Sequence, residues 1–142
     1  MRALLIATAL ALAVPAAAQA SSGFTVPSHN TTCAVLGDEV AGARPGLYCS
    51  SRYITEGGIY DGVGVVRLGR TGKARFTGGG SDLLNYIGGY NGEDVPRSKR
   101  PVLAYGEVFE KRGYRCKSRD TGLTSRRNGH GFFLSRERQK VF

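Results

Sequence analysis

Tryptophan is absent from this chain, cysteine occurs three times and histidine twice. That scarcity limits the chemistry. No Cys-x-x-Cys or His-x-x-x-His spacing occurs, and three lone thiols with two distant histidines make no recognisable metal-ligand set. Gly-x-Ser-x-Gly is missing, which excludes the serine nucleophile of that motif. The run Gly78-Gly79-Gly80-Ser81 lacks the Gly-Lys-Ser/Thr ending of a phosphate-binding P-loop. The adjacent carboxylates Asp38-Glu39 and Glu93-Asp94 point apart in extended chain and suit turns better than acid–base work. No cofactor and no metal is expected. Beyond Val14 no apolar run is long enough to span a bilayer, which takes about 20 residues.

What is present begins with a leader. Arg2 supplies a positive start, Ala3 to Val14 is uncharged and apolar, Pro15 breaks the run, and Ala18-Gln19-Ala20 reads as a small-x-small cleavage site. This predicts a signal peptide over residues 1–20 and one mature domain over 21–142, secreted or periplasmic and placed at the cell envelope. No cysteine stands at the cut to carry a lipid. About 120 residues suit a single small domain with a modest core.

Export implies an oxidising compartment and hence a disulfide. Cys33, Cys49 and Cys116 allow one bridge in three ways, with one thiol left over. Cys33 and Cys49 flank a turn-rich stretch containing Gly37-Asp38 and Pro45-Gly46. A hairpin return there brings them close, and closing such a loop is worth roughly 3 kcal/mol. Cys116 is then a buried inert thiol, a reactive thiol or half of an intermolecular bridge.

The pattern is β-like almost throughout. Val63 to Leu68 and Lys73 to Thr77 read as strands joined by a hairpin loop over Gly69 to Gly72. Val102 to Tyr105 reads as a short strand that Glu107 to Phe109 continues. Tyr114 to Ser118, Leu123 to Arg127 and His130 to Ser135 are further strands. Asn128-Gly129 favours the positive φ angles of a type I′ turn, the strongest hairpin signal in the chain. Ser135 is placed to cap a short final helix through Lys140. Gly57 to Gly92 reads as long loops between short strands. No internal repeat is visible. The expected fold is a small disulfide-supported antiparallel β-sandwich or barrel with a short C-terminal helix.

The formal net charge of +9 is unevenly placed. Ser21 to Glu110 is neutral, whereas Lys111 to Phe142 carries ten basic residues against Asp120 and Glu137. In a strand, Arg115, Lys117 and Arg119 share one face and Tyr114, Cys116 and Ser118 the other. A basic face near Tyr114, Phe132 and Phe133 suits an anionic partner, because counterion release favours such binding without choosing among anions.

Several segments then occur in a familiar order: Phe24-x-x-Pro27-Ser28-x-Asn30-x-x-Cys33, Cys49, Leu103-Ala104-Tyr105-Gly106, Tyr114-x-Cys116-x-Ser118, Gly122-Leu123-Thr124 and Gly129-His130-Gly131-Phe132-x-Leu134-Ser135-Arg136. The order resembles a family of small secreted bacterial proteins, common in actinobacteria, known as a domain of unknown function. The middle, from about Tyr53 to Lys99, matches poorly. The family pattern has Gly-Val-Thr-Cys where this chain has Gly122-Leu123-Thr124-Ser125, so Ser125 stands where a partner of Cys116 is expected. The resemblance thus implies a Cys33–Cys49 bridge with Cys116 unpaired. His29 replaces a usual glycine. A secreted β domain is implied, and no activity.

The sequence therefore points first to a non-enzymatic domain that binds an anionic polymer or acidic protein surface through a basic C-terminal hairpin, with Arg115, Lys117, Arg126, Arg127 and Arg136 as candidate contacts. Cell-envelope polymer, nucleic acid and acidic protein all qualify as partners. A second reading is phosphodiester cleavage by His29 and His130 as acid and base. A pairing of Cys116 with His130 as nucleophile and base has no third orienting residue. A third reading is a protein-interaction or inhibitor module using the loops of Gly57 to Gly92.

Overall fold

The computed structural model describes residues 23–38, 42–89 and 101–142, and the leader expected over residues 1–20 lies outside them. Strands β1 (Gly23–Thr25), β2 (Thr31–Leu36), β3 (Gly46–Ser51), β4 (Gly64–Leu68) and β5 (Arg75–Phe76) form one antiparallel sheet in chain order. Helix α1 (Ser81–Gly89) follows. Strands β6 (Val108–Lys111), β7 (Tyr114–Arg119), β8 (Gly122–Arg127), β9 (His130–Leu134) and β10 (Gln139–Val141) form a second antiparallel sheet, again in chain order. The chain is thus mainly β, and the two sheets stay separate as a sandwich.

The inner faces meet over one core. Phe24, Cys33, Val35, Leu47, Cys49, Val66 and Leu68 come from the first sheet, and Phe109, Cys116, Leu123, Phe132 and Leu134 from the second. The rings of Phe24 and Phe109 touch across the centre with centroids 4.9 Å apart. Each such large apolar side chain contributes about 1.5–3 kcal/mol when fully buried. Cys33 and Cys49 lie directly opposite on β2 and β3, with Cα atoms 4.1 Å apart, and are disulfide-bonded.

The two sheets repeat one another in register. In the first, Phe24, Cys33, Cys49, Val66 and Phe76 form a single cross-strand row. In the second, Phe109, Cys116, Ser125, Phe132 and Val141 form the same row. Leu47 and Leu68 are likewise matched by Leu123 and Leu134. The repeat that sequence reading missed is therefore carried by strand pairing, with little identity between the equivalent residues.

The outer faces differ. On the first sheet Ala34, Leu36, Tyr48 and Val65 point outward and are buried under Ile87 of α1, with Leu83 and Leu84 at the margin. Their equivalents on the second sheet are Lys117, Arg119, Thr124 and Gly131, which offer no apolar surface for a helix. Burial records the contrast. β2 is buried at every position, whereas β7 alternates between buried and more exposed residues. Such alternation marks a sheet with one wet face.

Three expectations need correction. There is no C-terminal helix: Ser135 Oγ does accept a hydrogen bond from the Arg138 N–H, but the Ser135 N–H donates to the Arg138 carbonyl, and this closes a hairpin whose return strand is β10. The helix lies instead at Ser81–Gly89, within the segment read as loops, where Leu83, Leu84 and Ile87 share a face and Asp82 favours the first turn. Of that segment, residues 90–92 lie outside the described ones. Val102–Tyr105 is not a strand. Its backbone makes one parallel bridge to Thr25, with Leu103 N–H donating to the Thr25 carbonyl at 2.9 Å.

Candidate anion-binding face

The second sheet is built from tight hairpins, so its side-chain order follows from turn chemistry. Asn128 (φ 50°) and Gly129 (φ 79°) form the β8–β9 turn that the sequence signals. Arg112 (φ 49°) and Gly113 (φ 84°) turn β6 into β7 in the same way. That turn went unread because arginine replaces the usual asparagine.

The outer face of this sheet carries two full cross-strand rows. One runs Glu110, Arg115, Arg126, Gly131, with Phe142 at its end through paired backbone hydrogen bonds to Gly131. The next runs Val108, Lys117, Thr124, Phe133, Lys140. Arg119 opposite Gly122 starts a third. Five cations thus share the face with one carboxylate in these rows, Glu110, which pairs with Arg115. Arg115 and Arg126 stand directly opposite each other. Like charges at that separation repel and destabilise a sheet.

Two aromatic rings lie across the same face, and glycines make room for them. A Cβ on Gly122 would come within 2.6 Å of Phe133 Cζ, and one on Gly131 within 3.1 Å of Phe142 Cζ. The Arg126 guanidinium stands 4.9 Å from the Phe142 ring centroid, close enough for a cation–π contact. Of the three aromatics that the sequence places near the basic face, Tyr114 and Phe132 point into the core and Phe133 takes the open face. Phe142 and Lys140 were missed altogether, because they were assigned to a helix or left beyond it.

The remaining candidates sit elsewhere. Arg127 points to the opposite side of β8 from Arg126. Its guanidinium covers the Tyr114 ring at 4.8 Å and donates to the carbonyls of Arg70, at 3.1 Å, and Arg112. It ties one end of the second sheet to the β4–β5 loop of the first. Burial raises the Tyr114 phenol above its ordinary pKa, partly offset by the charge of Arg127. Arg136 lies exposed in the β9–β10 turn, 3.6 Å from Glu137. It rims a cavity of about 270 Å³ where that turn meets the β1–β2 and β7–β8 turns.

The histidines do not meet. Ser28 and Thr31, which flank His29 and Asn30, line that same cavity with Leu134 and Ser135. His130 begins β9 at the far end of that strand, a length of roughly 13 Å. Cys116 is free and fully buried, and burial pushes its thiol up to about 12, the reverse of what a nucleophile needs. Among the described residues no cluster of histidine, cysteine or carboxylate side chains could hold a metal ion, and no helix is long and apolar enough to cross a membrane.

Residues 85–142 match a family of unknown function, DUF6636. The matched stretch contains the whole second sheet. It spans the C-terminal motifs of the resemblance and stops short of those between Phe24 and Cys49. No curated protein and no solved structure matches the chain.

Proposed function

We propose that this chain is an exported, non-enzymatic binding domain that takes an anionic polymer across the open face of its C-terminal sheet. The observation that carries the reading is the cross-strand pair Arg115–Arg126, with Lys117, Arg119 and Lys140 on the same surface. A sheet that sets like charges side by side gains stability from a bound anion. Five strands about 4.8 Å apart give a platform roughly 19 Å wide. Its cations are spread over three rows, which favours a partner with repeated charges over a single small ion. Phe133 and Phe142 supply apolar surface for a sugar or base between those charges. Export, which the leader implies, is supported by the Cys33–Cys49 disulfide.

The test is retention of residues 21–142 on heparin, RNA and purified cell envelope through increasing salt. The triple variant Arg115→Glu, Lys117→Glu, Arg126→Glu is expected to elute at markedly lower salt and to show a shallower salt dependence, about one unit of slope per lost contact. Unchanged elution would refute the reading.

A further inference from the structure

We infer a second anion site on the other side of the sandwich: the cleft between α1 and the β4–β5 hairpin takes a small phosphate-bearing organic molecule. Ala34, Tyr48, Arg67 and Arg75 form one outward row across β2 to β5. Helix α1 covers Ala34 and Tyr48 and leaves the β4–β5 end open. The result is a cleft of about 960 Å³ whose walls include Arg44, Tyr48, Arg67, Lys73, Arg75 and Tyr86. Among the described residues Asp82 is its one lining carboxylate.

Among the described residues most of the positive charge in this cleft has no carboxylate partner. Arg70, also on the wall, has Asp38 at 3.9 Å. Among the described residues no carboxylate pairs with Arg44, Arg67, Lys73 or Arg75. Arg67 and Arg75 stand directly opposite on neighbouring strands. Arg67 is half-buried and fixed: its Nη2 donates to the Pro45 carbonyl at 2.7 Å, its guanidinium lies 5.8 Å from the Tyr48 ring centroid, and its buried Nε has no hydrogen-bond partner. Holding such a charge in place, partly out of water, strengthens its pull on an anion. The neutral overall balance of residues 21–110 hides this segregation.

Size and charge choose the ligand class. Among the described residues, four cations without a carboxylate partner set against Asp82 leave three positive charges. One carboxylate would answer a third of that, whereas a phosphate group brings about −1.5 to −2 and matches guanidinium geometry. The volume falls in the range of organic ligands rather than bare ions. Tyr86 and Leu83 give an apolar wall for the rest of the molecule.

The experiment is calorimetric titration at low salt with pyrophosphate, AMP and adenosine, read alongside backbone amide shifts. Pyrophosphate and AMP are expected to bind, with shifts clustered at residues 67–75 and 82–86, and adenosine is not. Lys73→Glu with Arg75→Glu, both exposed, should weaken AMP binding about tenfold or more. The Arg115/Lys117/Arg126 triple reversal should leave it unchanged, which keeps this site distinguishable from the sheet face. Absence of binding by both phosphates, adenosine binding as tightly as AMP, or binding that survives the Lys73/Arg75 reversal would overturn the proposal.

Discussion

Cys116 on β7 and Ser125 on β8 face each other directly across the strand pair, in the relation that Cys33 and Cys49 hold on β2 and β3. Both pairs point into the same core. The first is a disulfide. The second is a buried thiol beside a hydroxyl that has no proper hydrogen-bond partner, since sulfur is a weak one. The second sheet thus has one sulfur where the first has a bridge, and Ser125 is the position at which the resemblance implies a cysteine.

Replacing that serine should restore the bond. The Ser125→Cys variant is expected to form a disulfide between its new thiol and Cys116 on oxidative folding. It then leaves no thiol for a thiol reagent in denaturant, where the parent chain leaves one. Closing so short a loop should stabilise by about 2–3 kcal/mol, and the buried unpaired hydroxyl disappears as well. The urea midpoint of oxidised against reduced variant measures the gain. A free thiol persisting in the oxidised variant would show that the two Cβ atoms do not meet as the pairing requires.

Burial of Cys116 also makes a pH prediction. An unfolded thiol ionises near pH 8.5, whereas the folded one is held neutral up to about 12. The folded-state pKa of this acid is raised, so its contribution is complete below about pH 8.5 and is lost as pH climbs toward 12. Between pH 7 and pH 10 the parent chain should lose about 2 kcal/mol more than Cys116→Ala. Denaturation curves at the two pH values give the difference. In native protein at pH 8 the thiol should react with a thiol reagent only as fast as the domain opens.

Arg127 and Arg126 are neighbours in sequence with opposite expected effects. Arg127 covers Tyr114 and donates to two loop carbonyls, so Arg127→Met should cost about 1–2 kcal/mol of stability and leave the salt of elution from heparin unchanged. Arg126→Glu should lower that salt and leave stability within about 0.5 kcal/mol, because its side chain lies on the wet face. Urea midpoints and elution salt, read together for both variants, separate the two roles. An Arg127→Met protein that folds normally and elutes early would remove this distinction.

Much of the second sheet was legible from its residues. The alternation of Tyr114 to Arg119 fixes which side of β7 is wet, and Asn128-Gly129 fixes the following hairpin and its register. Two things were not legible, for physical reasons. The duplicated architecture lies in which residues face one another, and Phe24/Phe109 or Val66/Phe132 need only be apolar to serve, so few identities mark it. The cleft beside α1 depends on Arg44, Arg67, Lys73 and Arg75 converging from three segments, which no local pattern reports. The final strand was mistaken for a helix because Ser135 Oγ to Arg138 N–H is a contact that a helix start and a tight turn both make.

His29 tests the resemblance at a single backbone position. It closes the β1–β2 turn by donating its N–H to the Val26 carbonyl at 2.9 Å, and it does so with φ at 58°. That left-handed conformation costs an L residue roughly 1–2 kcal/mol, and glycine adopts it without penalty. Glycine in turn loses more backbone freedom on folding, a cost of about 0.5–1 kcal/mol. The two terms leave His29→Gly between neutral and about 1.5 kcal/mol more stable. A β-branched residue meets the steric cost in full, so His29→Val should be less stable than the parent by about 1 kcal/mol or more. Urea denaturation of the three proteins orders them. If the glycine variant were the least stable, the His29 side chain, and not its backbone angle, would be what the turn requires.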